Sequence, residues 1–438
     1  MDLGEVEALR ADLGDFVAEV FASLARKDQR RQGDCYLRGL MLDGRRKSVQ
    51  PMAERLPDGN MQALQQFVSQ SPWDHIPVLR QIAAKMTAAL APAAWVIDDT
   101  SFPKAGDQSV ATSRQYCGAL GKRSLCQVGV SVHAVTDKAS SPLSWRLFVP
   151  PDWDGREDPR RERTGLPEEI GHVEKWRLAI DALDELVSWG LAPQVVVADA
   201  GYGQSAAFRH ALRSRELDYI VAVRGDETAH PFDAEPVAPA YGGAGRRTLP
   251  RYRTDSVSLR ELATAGGRRA FRQVTWRQGS RGAMRSRFWA LQVRPAGKIP
   301  RAFAAADAGG SAAWDGVLPV ETLLVEWPPG ESTPTEYWLT NLPPDTAIRR
   351  LVRLAKIRWR IEHDYREMKH GLGLDHFEGR TWRGWHHHVT LVTAAHAFLT
   401  LRGGGGGRGP PPPPGGRPPP PPPHPHTPPH AAPPPPHP

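Results

Sequence analysis

Three carboxylates stand in this chain where metal-assisted chemistry would want them. Asp99, within Asp98-Asp99-Thr100, follows the apolar run Ala94-Trp-Val-Ile97. Asp199 closes Gln194-Val-Val-Val-Ala198 and opens the loop Ala200-Gly-Tyr-Gly203. Glu362 lies in a segment with helical patterning. Carboxylates at strand ends and on a packed helix can converge across long stretches of sequence. Hard cations such as Mg²⁺ or Mn²⁺ take oxygen ligands of this kind. A pair of such ions can activate an attacking oxygen and stabilise a leaving one in phosphoryl transfer. Taken singly, each residue also has an ordinary reading, since an Asp after a strand is often a turn former or a helix cap. Strand alternation points Asp98 and Asp99 to opposite faces, which leaves open which of the two would serve.

The segment Arg358-Trp-Arg-Ile-Glu362-His-Asp-Tyr365-Arg-Glu-Met-Lys369 places Arg358, Glu362, Tyr365 and Lys369 at i, i+4, i+7 and i+11, one stripe of a helix. A solvated face would show such pairing for solubility alone. A catalytic face would put Glu362 on a metal, with Arg358, Tyr365 and Lys369 holding nucleic-acid phosphates around it. Glu367 is the alternative third ligand, on a different side of the same helix.

Positioning these groups requires an α/β scaffold. Residues 1–90 read as all-helical, with Leu9, Leu13, Phe16, Val20 and Leu24 at helical spacing and further helices around 61–69 and 76–89. Residues 91–225 alternate strands (94–97, 125–135, 142–149, 194–198, 218–223) with helices at 167–189 and 205–215. The order β-β-β-α-β-α-β predicts a mixed sheet with helices on its faces. Residues 226–335 form a β-rich insertion, with strands at 272–276, 288–293 and 321–326. The core resumes over 336–401 with a strand at 336–340, one long helix from Thr346 to about Gly371, and a last helix from Trp385 to Leu401. Residues 402–438 contain almost only Gly, Pro, Arg and His. They read either as a proline-rich tail or as out-of-frame translation of GC-rich DNA interrupting an apolar helix.

The formal net charge of +8 permits nucleic-acid binding without demonstrating it, and three of those charges, Arg402, Arg408 and Arg417, fall in the tail. Arg45, Arg46 and Lys47 could contact DNA or line a solvated turn. Trp276 and Trp289 enclose a loop carrying Arg277, Arg281, Arg285 and Arg287, suited to tracking a DNA backbone, although a core Trp on a hairpin is the ordinary reading. His386-His-His388 reads as a surface or DNA-facing run, because consecutive side chains on a helix diverge. Three cysteines without metal-ligand spacing predict a reduced, cytoplasmic setting. The acidic start Met1–Asp15 does not read as a signal peptide, and no apolar run approaches the ~20 residues of a membrane span.

Jointly, three segments resemble the motifs of the DDE transposases of bacterial insertion sequences, in the branch with a Tyr-Arg-Glu-Lys signature and the subfamily numbered seven-zero-one. Val96-Ile-Asp-Asp99-Thr is similar to the first motif, Val197-Ala-Asp199-Ala-Gly-Tyr to the second, and Arg358-Trp-Arg-Ile-Glu362 with Lys369 to the third. The signature's Tyr falls on Ala355. The resemblance covers about residues 90–400. It implies a ribonuclease-H-like mixed sheet and an all-α N-terminal domain for DNA binding or dimerisation. It also implies Asp99, Asp199 and Glu362 as ligands of Mg²⁺ or Mn²⁺, with two ions in the site. The expected activity is cleavage of element ends and strand transfer, by a homodimer on the terminal inverted repeats and target DNA in the nucleoid. The alternative is a catalytically inactive, transposase-derived DNA-binding protein.

Overall fold

The computed structural model describes residues 2–403 except 239, 241–242, 244–249, 280–281 and 312. The tract 404–438, and with it the reading of the tail, lies outside the described residues, as does Arg281. Five helices come first: α1 (Leu3–Val20), α2 (Lys27–Met41), α3 (Val49–Arg55), α4 (Met61–Ser69) and α5 (His75–Leu90). Their starts follow local chemistry. Asp2 and Glu5 make a reciprocal capping box on α1, Asn60 caps α4 through the Ala63 N–H, and Asp74 caps α5 through that of Ile76.

The central sheet begins with β1 (Ala94–Pro103), β2 (Ser113–Cys117), β3 (Lys122–Val135) and β4 (Ser140–Phe148). After α6 (Pro159–Thr164) and α7 (Lys175–Ser188) come β5 (Val196–Ala198), α8 (Ala200–Gly203), α9 (Ala206–Arg213) and β6 (Tyr219–Val223). β3 runs antiparallel to β1 and β4, whereas β1, β5 and β6 are mutually parallel. The resulting order β4-β3-β1-β5-β6 is a mixed sheet flanked by helices, the ribonuclease-H-like arrangement expected from the sequence.

The following segment holds β7 (Thr228–Pro231), β8 (Pro236–Val237), β9 (Arg251–Tyr252), β10 (Val257–Ser258), α10 (Leu259–Ala265), the hairpin β11 (Arg272–Gly279) and β12 (Gly282–Pro295), α11 (Lys298–Asp307) and β13 (Glu321–Glu326). Most of its strands prolong the central sheet. β14 (Glu336–Thr340) pairs with β6 on one side and β13 on the other, and β12 and β7 follow beyond β13. The chain closes with α12 (Ile348–Lys356), α13 (Trp359–His370) and α14 (Trp382–Gly403). α14 packs against α2, α4, α5 and β4, and one apolar core runs from Phe16 to Phe398. No helix among the described residues is long and apolar enough to cross a membrane.

Two sequence expectations change. The helix expected from Pro167 starts at Lys175, because the carbonyls of Pro167, Glu168 and Ile170 accept hydrogen bonds from the buried Arg161 guanidinium. The single long helix expected over 346–371 is two, broken at Ile357–Arg358. The two halves are tied to different parts of the sheet. Lys356 bonds Glu326 and Glu336 at the ends of β13 and β14, whereas Arg358 reaches back to Asp98 on β1.

Candidate active site

Adjacent parallel strands bring the first two motifs together. Ile97 of β1 lies opposite Ala198 of β5, so Asp98 and Asp199 emerge side by side at the same end of the sheet. Asp199 leaves the strand as the cap of α8, its Oδ1 accepting from the N–H groups of Gly201 (2.8 Å) and Tyr202 (3.4 Å). That turn sits close over β6, for a Cβ on Gly203 would lie 2.1 Å from the Ala222 carbonyl oxygen.

Arg358 is the hub of the cluster. Its Nη1 donates to Asp98 Oδ2 at 2.8 Å and its Nη2 to Glu362 Oε1 at 3.1 Å, and it feels the charge of Asp199 as well. Glu362 stands at the rim with its side chain 59% exposed. Asp99 turns to the other side of β1, where its Oδ2 accepts from Lys175 Nζ at 2.8 Å. Burial pushes the Asp98 carboxyl up to about 7, Arg358 opposing and the charges of Asp199 and Asp99 adding to the rise. Burial likewise raises Asp199, again against Arg358 and with Asp99 adding.

Arg358 thus links Asp98 to Glu362 and acts on Asp199, whereas Asp99, on the opposite side of β1, is paired with Lys175. The donor set is entirely carboxylate oxygen, which suits a hard divalent ion. The buried Tyr202 hydroxyl, subject to all three Asp charges, has no hydrogen-bond partner among the described residues. A crowd of partly desolvated carboxylates beside an orphaned hydroxyl fits a cation with its own hydration.

Other predicted residues lie elsewhere. Tyr365 is 8% exposed, and its hydroxyl meets Ser131 Oγ at 2.6 Å. Of the helix stripe, Tyr365 is directed onto β3, and a direct contact of Tyr365 with DNA is corrected on that ground. It ends a buried chain in which Asp364 Oδ2 meets His133 Nδ1 at 3.0 Å and His133 Nε2 meets Ser131 Oγ at 2.9 Å. No substrate can reach a His buried at 0% exposure, so this relay-like geometry fixes α13 on the sheet. Lys369 is half-buried, with Nζ donating to the Ser101 carbonyl at 2.9 Å. Lys47 is buried and its amine is bonded to the Leu42 carbonyl, which removes it from the DNA-contact set. Arg45 and Arg46 are exposed.

His386, His387 and His388 are buried, contrary to the surface role expected. α14 is apolar around most of its circumference, so it is sunk in the core, and its imidazoles bond the Trp382, Val68, Trp73 and Gly373 carbonyls and the Tyr36 hydroxyl. Arg285 and Arg287 are exposed on the β11–β12 hairpin. Arg277 stacks 3.5 Å from the Trp359 ring centroid, bringing the hairpin against the first turn of α13. Ala355, where the signature's Tyr would stand, is buried. Lys175 and Tyr202 were missed by sequence reasoning. The pair Gly171-His172 inside the expected helix was the available hint that α7 begins at Lys175.

Residues 19–283 match the family model described as DDE superfamily endonuclease, and residues 170–398 that described as transposase DDE domain. The chain is also 30% identical over 192 residues to a protein of Microchaete diplosiphon described as "Probable transposase for insertion sequence element IS701". That match covers 43% of this chain and 47% of the relative, so the chain spans about half the relative's length.

Proposed function

We propose, from the premise that this chain belongs to the DDE transposase family in its IS701 type, that it cuts the ends of an insertion sequence and joins them to new DNA. The observation that supports this reading is that Asp98, Asp99 and Asp199 lie near one another at one end of the sheet, with Arg358 bonded to both Asp98 and Glu362 and Lys175 bonded to Asp99. Asp99, Asp199 and Glu362 would hold Mg²⁺ or Mn²⁺, with two ions as the family resemblance implies. Such ions, when bound, activate water or a 3′-hydroxyl and stabilise the departing oxygen.

The protein's own contribution is placement and charge. Asp98 is a positioning residue. Its bond fixes the Arg358 guanidinium beside the carboxylates, where a phosphate of the scissile strand would be neutralised. Lys369 is held half-buried near the end of β1 and would set the neighbouring phosphate. The buried chain from Asp364 to Tyr365 keeps α13, and with it Glu362, from rotating. In the cutting step water adds to phosphorus and the 3′-oxygen leaves as a hydroxyl. In joining, that hydroxyl attacks a second phosphodiester and displaces its 3′-oxygen, so bonds are exchanged without an external energy source.

Arg45 and Arg46 on the helical N-terminal region, and Arg285 and Arg287 on the hairpin, are exposed cations suited to the phosphates of the terminal inverted repeats. Residues 1–90 are assigned to DNA binding and dimerisation, with a homodimer bridging two ends in the nucleoid. The test is a labelled element end incubated with the chain and Mg²⁺, Mn²⁺ or EDTA, with target plasmid present. Metal-dependent nicks followed by covalent joining support the reading. Binding with no cutting under any metal would assign a binding-only protein, and cutting without joining an ordinary nuclease.

A further inference from the structure

On a different face of α13 from Glu362 lies a group of side chains of the types that hold metals. His363, Asp364 and Glu367 share one helix face, and their ligand atoms all lie within 4.8 Å of one another. His363 Nδ1 is 3.4 Å from Glu367 Oε2, the i and i+4 spacing that lets two side chains on a helix share an ion. From α14, His396 approaches the group's two carboxylates. Its side chain is 5% exposed, and its Nε2 is aimed between Glu367 Oε2 at 3.8 Å and Asp364 Oδ1 at 3.9 Å. Both separations are too long for a hydrogen bond. The other ring nitrogen, Nδ1, is buried and has no hydrogen-bond partner among the described residues. A buried imidazole aimed at two carboxylates at these distances is the arrangement an intervening cation would complete.

The surroundings supply what metal ligands need. The Asp364 carboxylate is oriented from behind by Ser140 Oγ (2.6 Å) and His133 Nδ1 (3.0 Å). Outer partners of this kind fix ligand geometry in metal sites. The His363 and Glu367 side chains are 43% and 55% exposed, which leaves an entry path from solvent.

We propose that His363, Asp364, Glu367 and His396 bind a borderline divalent transition-metal ion, zinc foremost, as a clasp between α13 and α14. Two imidazoles and two carboxylates match the donors such ions take in four-coordinate sites, whereas Mg²⁺ prefers oxygen and water. Because α13 also carries Glu362 and is preceded directly by Arg358, the clasp would stiffen the helix from a different face. The clasp stands independently of the chemistry assigned to the other cluster.

The test is metal content and heat stability of the full chain. Protein equilibrated with Zn²⁺ and dialysed against buffer is assayed by atomic emission, and Co²⁺ is added to apoprotein to read visible d–d absorption. We expect a tightly held equivalent of zinc, tetrahedral Co²⁺ bands and a higher Tm with metal, all persisting in Asp199→Ala. In His363→Gln and Glu367→Gln, zinc affinity should fall by about tenfold or more, at least the loss seen when an outer partner of a ligand is removed. Both positions are partly exposed, so the Tm of these variants in EDTA should match that of the parent, which separates loss of metal from loss of fold. Zinc retained with undiminished affinity in both variants would overturn the proposal. So would zinc lost in Asp199→Ala but not in His363→Gln, which would put the ion among the Asp cluster.

Discussion

Replacing Asp98 with Asn should stabilise the metal-free protein, and only at neutral and alkaline pH. Burial raises the Asp98 carboxyl from 3.8 to about 7, so the folded chain holds a proton there that the unfolded chain has already lost. The sign follows directly. Below about pH 4 both states are protonated and the site contributes its full share of stability. That share is lost progressively as pH rises to about 7, because ionisation then has to occur in a buried setting. A rise of about three units at ~1.36 kcal/mol each sets an upper limit of roughly 4 kcal/mol on the loss. Asn keeps the shape without the charge, although Arg358 forfeits its bond to one carboxylate and retains Glu362. A net gain of about 1–3 kcal/mol at pH 8 is therefore expected, the remainder being offset by the weakened ion pair. For 438 residues the unfolding entropy is about 0.9 kcal/mol per kelvin, so Tm should rise by roughly 1–3 °C. The assay is thermal unfolding of both proteins in EDTA from about pH 4.5 to 8.5. The Tm difference should open between about pH 5 and 7 and level off above. A difference independent of pH, or one that favours Asn only at acid pH, would refute the reasoning.

Other expectations follow from packing and charge. Gly203→Ala should leave little soluble protein, because its Cβ would lie 2.1 Å from a backbone oxygen of β6; expression and heat stability like the parent's would contradict the close approach. Tyr365→Phe should cost about 1–2 kcal/mol by unpairing a buried hydroxyl network, with DNA affinity unchanged. Denaturant titration and gel shift read the two halves, and weakened DNA binding at unchanged stability would reverse the placement of Tyr365. Arg45→Ala with Arg46→Ala should weaken end binding and reduce the slope of log affinity against log salt by about 1.8, the value for two lost phosphate contacts. An unchanged slope would remove both residues from the DNA interface.

The scaffold was legible because it rests on local patterns. The apolar run before Asp199 and the alternating stretch 125–135 each form a strand, and the order of strands and helices specified a mixed sheet. Of the candidate site the sequence offered residue types alone; in the folded chain Arg358 bonds Glu362 and feels the charge of Asp199. What escaped depends on tertiary contacts. Arg161 captures the carbonyls that would have started α7 early, which hid Lys175 beside Asp99. Lys47 and Tyr365 are polar-tipped residues whose neighbours bury them, and helical spacing cannot say which stripe meets a sheet. His387 and His388 read as exposed because the Val68 and Trp73 carbonyls that meet His387, and the Tyr36 hydroxyl that meets His388, come from segments more than three hundred residues away.

The central claim, that Glu362 works with Asp99 and Asp199 on a divalent metal to break phosphodiesters, is tested most directly by Glu362→Gln. A labelled element end is incubated with parent and variant in Mg²⁺ or Mn²⁺, with binding followed on the same samples. Because Glu362 is exposed at the rim, the variant should fold and bind the end as the parent does while cutting and joining disappear. Cutting at the parent's rate by Glu362→Gln would contradict the account.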